Sequence, residues 1–89
     1  MATIHVENIK ADTCRVTVTD RSTTTHTVTV TDGYYQKLTG GKVSLERLVE
    51  ASFEFLLERE SNTMILSSFD LPVISTYFPE YEKGITKYL

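Results

Sequence analysis

The chain is poor in the residues that build reactive or cross-linked sites. It has one cysteine, Cys14, and two histidines, His5 and His26. A single cysteine excludes an intrachain disulfide, and with it the small secreted scaffold held by bridges. Three soft ligands in the whole chain speak against zinc, which needs three or four that converge. A Ser-His-Asp arrangement has only His5 and His26 to draw on, and both fall in strand-like runs. A cysteine nucleophile needs a nearby base and a partly exposed setting, whereas Cys14 shares the parity of buried valines. Gly-rich phosphate loops are absent, and Gly40 and Gly41 form an isolated pair that reads as a helix terminator. No apolar run approaches the roughly 18 to 20 residues of a membrane span. The first residues show neither a basic n-region nor an apolar h-region. A cytoplasmic location without membrane partners, cofactor or metal is therefore expected.

Excess charge of either sign is also missing. Nine basic and twelve acidic residues leave a formal net charge of −3 in 89 residues. That balance is wrong for a protein whose main partner is nucleic acid, because neutralising phosphates requires a basic surface. There is no linker, low-complexity block or internal repeat, and the length suits one domain.

What the chain has is alternation. Cys14, Val16 and Val18 share one parity, as do Val28 and Val30, while the other parity is nearly all threonine and arginine. Period two with β-branched residues predicts strands buried on one face. Placing Val18 opposite His26, Val16 opposite Val28 and Cys14 opposite Val30 puts every valine on that face, with Arg21, Ser22 and Thr23 as the loop. The wet face then pairs Thr19 with Thr25, Thr17 with Thr27 and Arg15 with Thr29. Ile4 and Val6 extend the pattern, opposite Val18 and Val16, with Lys10, Ala11 and Asp12 as the turn. A three-stranded antiparallel meander over residues 1–31 follows.

From Asp32 the period changes. Thr31 or Asp32 caps a short helix carrying Tyr34, Tyr35 and Leu38, ended by Gly40 and Gly41. Ser44 caps a main helix from Leu45 to about Glu60. Leu45, Leu48, Val49, Ser52 and Leu56 form its stripe, and Phe53, Phe55 and Leu57 widen the apolar arc, so the helix should be enclosed on more than one side. Ser61, Asn62 and Thr63 break it. Met64, Ile65, Leu66 and Phe69 read as a short apolar helix. Asp70 then caps another, with Pro72 in its first turn and Val73, Ile74, Tyr77 and Phe78 at helical spacing. Pro79 interrupts and should hold Phe78 extended. Tyr81, Ile85 and Tyr88 suit a last short helix. The expected fold is α+β: the meander covered on its apolar face by three to four helices from residues 32–89.

Three segments carry a resemblance. They are TVTVTDGYYQKLTGG from Thr27 to Gly41, SFEFLLERE from Ser52 to Glu60, and Phe69-Asp70-Leu71 with YFPEY from Tyr77 to Tyr81. They resemble a family of small bacterial proteins of unknown function, over about residues 26–85. The resemblance implies a bacterial, cytoplasmic, single-domain protein. It implies no reaction, ligand or catalytic residue.

The surfaces remain. Glu46, Glu50, Glu54 and Glu58 recur every fourth residue and form an acidic ridge, each like-charge step costing about 0.2 to 0.5 kcal/mol, offset in part by Arg47 and Arg59. The ridge reads either as a docking face for a basic partner or as a plainly solvated helix. Acid–base catalysis by these carboxylates is not expected, since nothing points to their desolvation. Thr17, Thr19, Thr25, Thr27 and Thr29 make a polar face too short, and too interrupted by Arg15 and Glu7, to read as an ice-binding array. The open meander edges favour strand addition. Among the late aromatics Phe69, Tyr77, Phe78, Tyr81 and Tyr88, most should be core, while Tyr77, Phe78 and Tyr81 are candidates for a docking patch that drives self-association. Basic side chains (Lys10, Arg15, Arg21, Lys37, Lys42 and Arg47) are scattered. Residues 44–78 have a helix-turn-helix look, but the helices carry the acidic ridge and residues 64–78 hold no Lys or Arg, which makes a poor reader of DNA. The expected function is a small non-enzymatic protein-interaction or regulatory module that self-associates. A nucleic-acid-linked accessory protein is the alternative. An enzyme comes third, supported by no constellation.

Overall fold

The Val-Thr alternation becomes three antiparallel strands, β1 (Thr3–Lys10), β2 (Thr13–Thr19) and β3 (Thr23–Thr29), in a computed structural model that describes residues 2–89. Cys14, Val16, Val18, Val28 and Val30 are buried, while Arg15, Thr19 and Thr25 face water. The facing is the one that period two dictates. In the first hairpin Ile4 lies opposite Val18 and Val6 opposite Val16, as expected. Its turn is tighter than expected, confined to Ala11 and Asp12, because Lys10 stays in β1 opposite Thr13 and a register shift falls at Ile9. The Asn8 amide secures this irregularity by donating to the carbonyls of Lys10 (2.6 Å) and Thr13 (3.1 Å).

The second hairpin differs from the expectation by two residues. Val18 lies opposite Thr24, Val16 opposite His26 and Cys14 opposite Val28, and the loop is residues 20–22. A two-residue slip leaves every side chain on its own face, so the apolar pattern cannot choose between the registers. A distant residue distinguishes them: Asn62, buried beneath the hairpin, donates from its amide to the carbonyls of Ser22 (3.0 Å) and Val18 (3.4 Å) and to the Thr24 hydroxyl (3.0 Å).

The sheet has a fourth strand that the expected meander lacked. β4 (Ser68–Asp70) runs parallel to β3, with Phe69 beside Val28, giving the order β1-β2-β3-β4. The expected apolar helix over Met64 to Phe69 is therefore replaced by a single 3₁₀ turn, Asn62–Met64, and an extended stretch. The free edge of β3 explains the change. Thr27 N–H donates to Ser67 O (2.8 Å) and Leu71 N–H to Thr29 O (2.9 Å), which gives partners to backbone groups that a local helix would have left to solvent.

Helices cover the valine face. α1 (Asp32–Thr39) starts at Thr31, whose hydroxyl accepts from Tyr34 N–H (3.2 Å), and ends at Gly40 with φ +64°. α2 (Leu45–Leu57) starts at Ser44, whose hydroxyl accepts from Arg47 N–H (3.1 Å), and stops three residues short of Glu60. Its wide arc is enclosed on two flanks. Phe53 packs on His26 and Phe69, with ring centroids 5.3 and 6.1 Å away, while Phe55 meets Phe78, Tyr81 and Tyr88 edge-on. α3 (Val73–Tyr77), α4 (Tyr81–Gly84) and a 3₁₀ turn (Ile85–Tyr88) complete the chain. Pro72 precedes α3, whereas Asp70, expected as its cap, lies in β4. Phe78 before Pro79 leaves the helical region, with φ −130° and ψ 88°, short of the fully extended backbone expected. No helix among the described residues is long and apolar enough to cross a membrane.

Candidate interaction groove

After α2 the chain turns back across the sheet edge, and this return path builds an open groove of about 410 Å³. Leu56 comes from the end of α2, Phe69 from β4, and Ile74 and Phe78 from α3 and its exit. Met64, Leu66 and Tyr77 rim it, 69%, 47% and 65% exposed. Three large apolar side chains so exposed on one groove are uncommon for an uncovered surface. The cause lies in the sequence. Residues 62–79 contain one charged side chain, Asp70, so this stretch has little charge with which to cover the groove.

Glu60 is the one ionisable carboxylate lining the groove. Among the described residues it has no ion-pair partner, because neighbouring Arg59 points elsewhere. The Arg59 guanidinium donates to Glu80 (3.2 Å) and to Phe55 O (2.9 Å) and lies 3.6 Å over the Phe55 ring. Burial pushes the Glu60 carboxyl above the usual range.

One groove wall hangs on a buried polar chain. His26 is almost fully buried; its Nδ1 lies 2.7 Å from Leu66 O and its Nε2 2.8 Å from the Thr24 hydroxyl. A carbonyl only accepts, so Nδ1 carries the proton and donates to Leu66 O. In the neutral imidazole Nε2 then accepts from Thr24, whose oxygen in turn accepts from the Asn62 amide. The network ties the second hairpin to the groove-lining segment. From the sequence, His26 was expected as the partner of Val18 in the hairpin, and Asn62 as part of a helix break. The usable signal was a polar residue on the valine parity of β3 and a lone amide before an apolar run.

The acidic ridge is present but divided. Glu46 is exposed, whereas Glu50 and Glu54 both accept from Arg47 (2.6 and 3.4 Å), which also donates to Tyr88 O. Glu58 accepts from the Tyr88 hydroxyl (2.6 Å) and sits 3.9 Å from Arg59. Of the aromatic patch, Tyr77 is exposed and Phe78 is half-buried against Phe55. Tyr81 is not a surface residue. It is fully buried, edge-on to the Phe55 ring, with its hydroxyl 2.6 Å from that of Ser52. The groove residues that sequence reasoning missed as a site are Glu60, Met64 and Leu66.

Other ion pairs lie away from the groove. Arg15 pairs with Glu7 (3.3 Å) and Lys37 with Glu82 (3.0 Å). Lys37 and the Tyr34 hydroxyl hold the Glu82 carboxyl below the usual range. Cys14 is fully buried, and desolvation pushes its thiol up, the opposite of what activates a nucleophile. Among the described residues no cluster of three or more His, Cys, Asp or Glu is placed to hold a metal.

No family model, no curated protein and no solved structure matches this chain.

Proposed function

We propose that this protein is a cytoplasmic, non-enzymatic interaction module that holds, in the Met64–Leu66–Tyr77 groove, an apolar segment of a partner protein carrying one basic side chain. The observation that carries the reading is Glu60. A carboxylate that is partly removed from water and has no cation beside it is unfavourable for the free molecule. A lysine or arginine brought in by a partner offsets that cost, while its apolar neighbours cover Met64, Leu66 and Tyr77. The division of labour is that of a binding site with a greasy anchor and one charge that orients the ligand.

The test is selection from a displayed random-peptide library against the purified protein, followed by amide-shift mapping with a selected peptide. Expected are sequences with spaced apolar residues around one Lys or Arg, and shifts centred on residues 56–78. Glu60→Lys should weaken such a peptide about tenfold, and Tyr77→Ala by about 1–2 kcal/mol. Selected sequences without a basic residue, or shifts confined to the threonine face, would sink the proposal.

A further inference from the structure

The groove lies at the β4 end of the sheet, and the opposite end is also unpartnered. β1 pairs with β2 alone, so its other side presents a free row of backbone donors and acceptors. Pairing within β1 is regular from Thr3 to Asn8, before the shift at Ile9, and the strand contains no proline to block addition. On the helix side, the first turns of α2 leave a cleft of about 350 Å³ along this edge, between Ile4 and Val6 on one side and Glu46 and Arg47 on the other. Ile4 and Val6 remain half-buried there, although they sit on the parity that is closed in β2 and β3.

We propose that a second copy of this chain completes that edge: β1 pairs antiparallel with β1 of the other copy about a two-fold axis at Val6, joining two four-stranded sheets into one. The register follows from the charges. With Val6 opposite Val6, His5 of each copy lies opposite Glu7 of the other, so the axis generates two donor–acceptor pairs on the exposed face. An imidazole N–H donates to a carboxylate whether or not the ring is charged. Arg15 already reaches Glu7 on that face, and the contact becomes a three-member ladder across the seam. Sliding two residues one way sets Glu7 against Glu7 and Ile4 against Lys10. Sliding the other way sets His5 against His5 and leaves Glu7 facing Thr3. A slip of one residue turns the valine face of one copy toward the wet face of the other. On the closed side, Val6 and Ile4 gain the cover that α2 does not give them.

The strand order then leaves the two grooves at the far ends of the joined sheet, so a dimer would carry two independent sites. The pairing does not rest on the groove reading. It is tested by analytical ultracentrifugation of the full chain over a concentration series. A concentration-dependent dimer is expected, and a monomer at every concentration overturns the proposal. His5 and Glu7 are exposed, so their variants should fold, which circular dichroism checks. His5→Glu sets carboxylates against each other on both sides of the axis and should raise the dimer dissociation constant about tenfold. The exchange His5→Glu/Glu7→His restores one donor and one acceptor to each pair and should return it. A dimer indifferent to His5→Glu, or not rescued by the exchange, overturns the register. A dimer abolished by Tyr77→Ser instead assigns association to the groove and overturns edge pairing.

Discussion

At the scale of single residues, the buried polar groups and the half-buried Glu60 carboxylate act on stability in opposite directions. No buried side-chain nitrogen or oxygen among the described residues is without a hydrogen-bond partner, and that makes the buried polar positions costly to change. Asn62→Ala removes the side chain that reaches Ser22 O, Val18 O and Thr24 together, and should destabilise the fold by about 1–3 kcal/mol in denaturant titration. Tyr81→Phe should cost less, about 1 kcal/mol, because Ser52 keeps its bond to Leu48 O. Glu60 behaves in the opposite way. Its folded-state pKa is raised, so the folded protein binds that proton more tightly than the unfolded chain does. Stability from this group is greatest below the unfolded value of about 4.3 and declines as pH rises through the higher folded value. Glu60→Gln should therefore raise the denaturant midpoint at pH 7, and the advantage should vanish below about pH 4. A variant that is more stable yet binds its partner less well is the expected signature of a group kept for recognition.

At the level of elements, the strands are held by unequal means. β2 lies between two neighbours and contributes Cys14, Val16 and Val18 to the core, whereas β4 is three residues long and joins the sheet through a few backbone bonds to β3. Val16→Asp should unfold the domain, since burying an unpaired carboxylate costs several kcal/mol, much of the stability of a chain this size. Thr25→Asp, on the wet face of the same sheet, should leave the fold intact. Thermal melts followed by circular dichroism compare the two. Amide exchange should be slowest in β2 and faster at Leu71, where a single short strand guards the bond to Thr29. The elements were unequally legible for the same reason. Helix starts at Thr31 and Ser44 follow from local capping chemistry, and Gly40 ends α1 because it takes a positive φ. The stretch 64–69, expected as helix, is not one, because its helical preference is weak and the free edge of β3, formed some forty residues earlier in the chain, outweighs it.

For the molecule as a whole, α2 is the organising element. Its first turns lie over β1 and its Phe53 reaches His26 and Phe69 at the far strands, so one helix spans the sheet that ends in an open strand edge on one side and in the groove on the other. A single copy has a Cα radius of gyration of 11.9 Å. Small-angle scattering should approach that size on dilution, hydration aside, and rise with concentration if two sheets join end to end.

The period of the apolar residues was enough to determine which face of β1, β2 and β3 is dry and that helices must follow, and the single cysteine that no intrachain disulfide holds them, because these depend on neighbours in sequence and on residue type. The hairpin register, the fourth strand, the burial of Tyr81 and the isolation of Glu60 were decided only in three dimensions. Each depends on a contact between residues far apart in the chain (Asn62 with Ser22, Ser67 with Thr27, Tyr81 with Ser52, Arg59 with Glu80), and local periodicity carries no information about which distant group will arrive to complete a hydrogen bond.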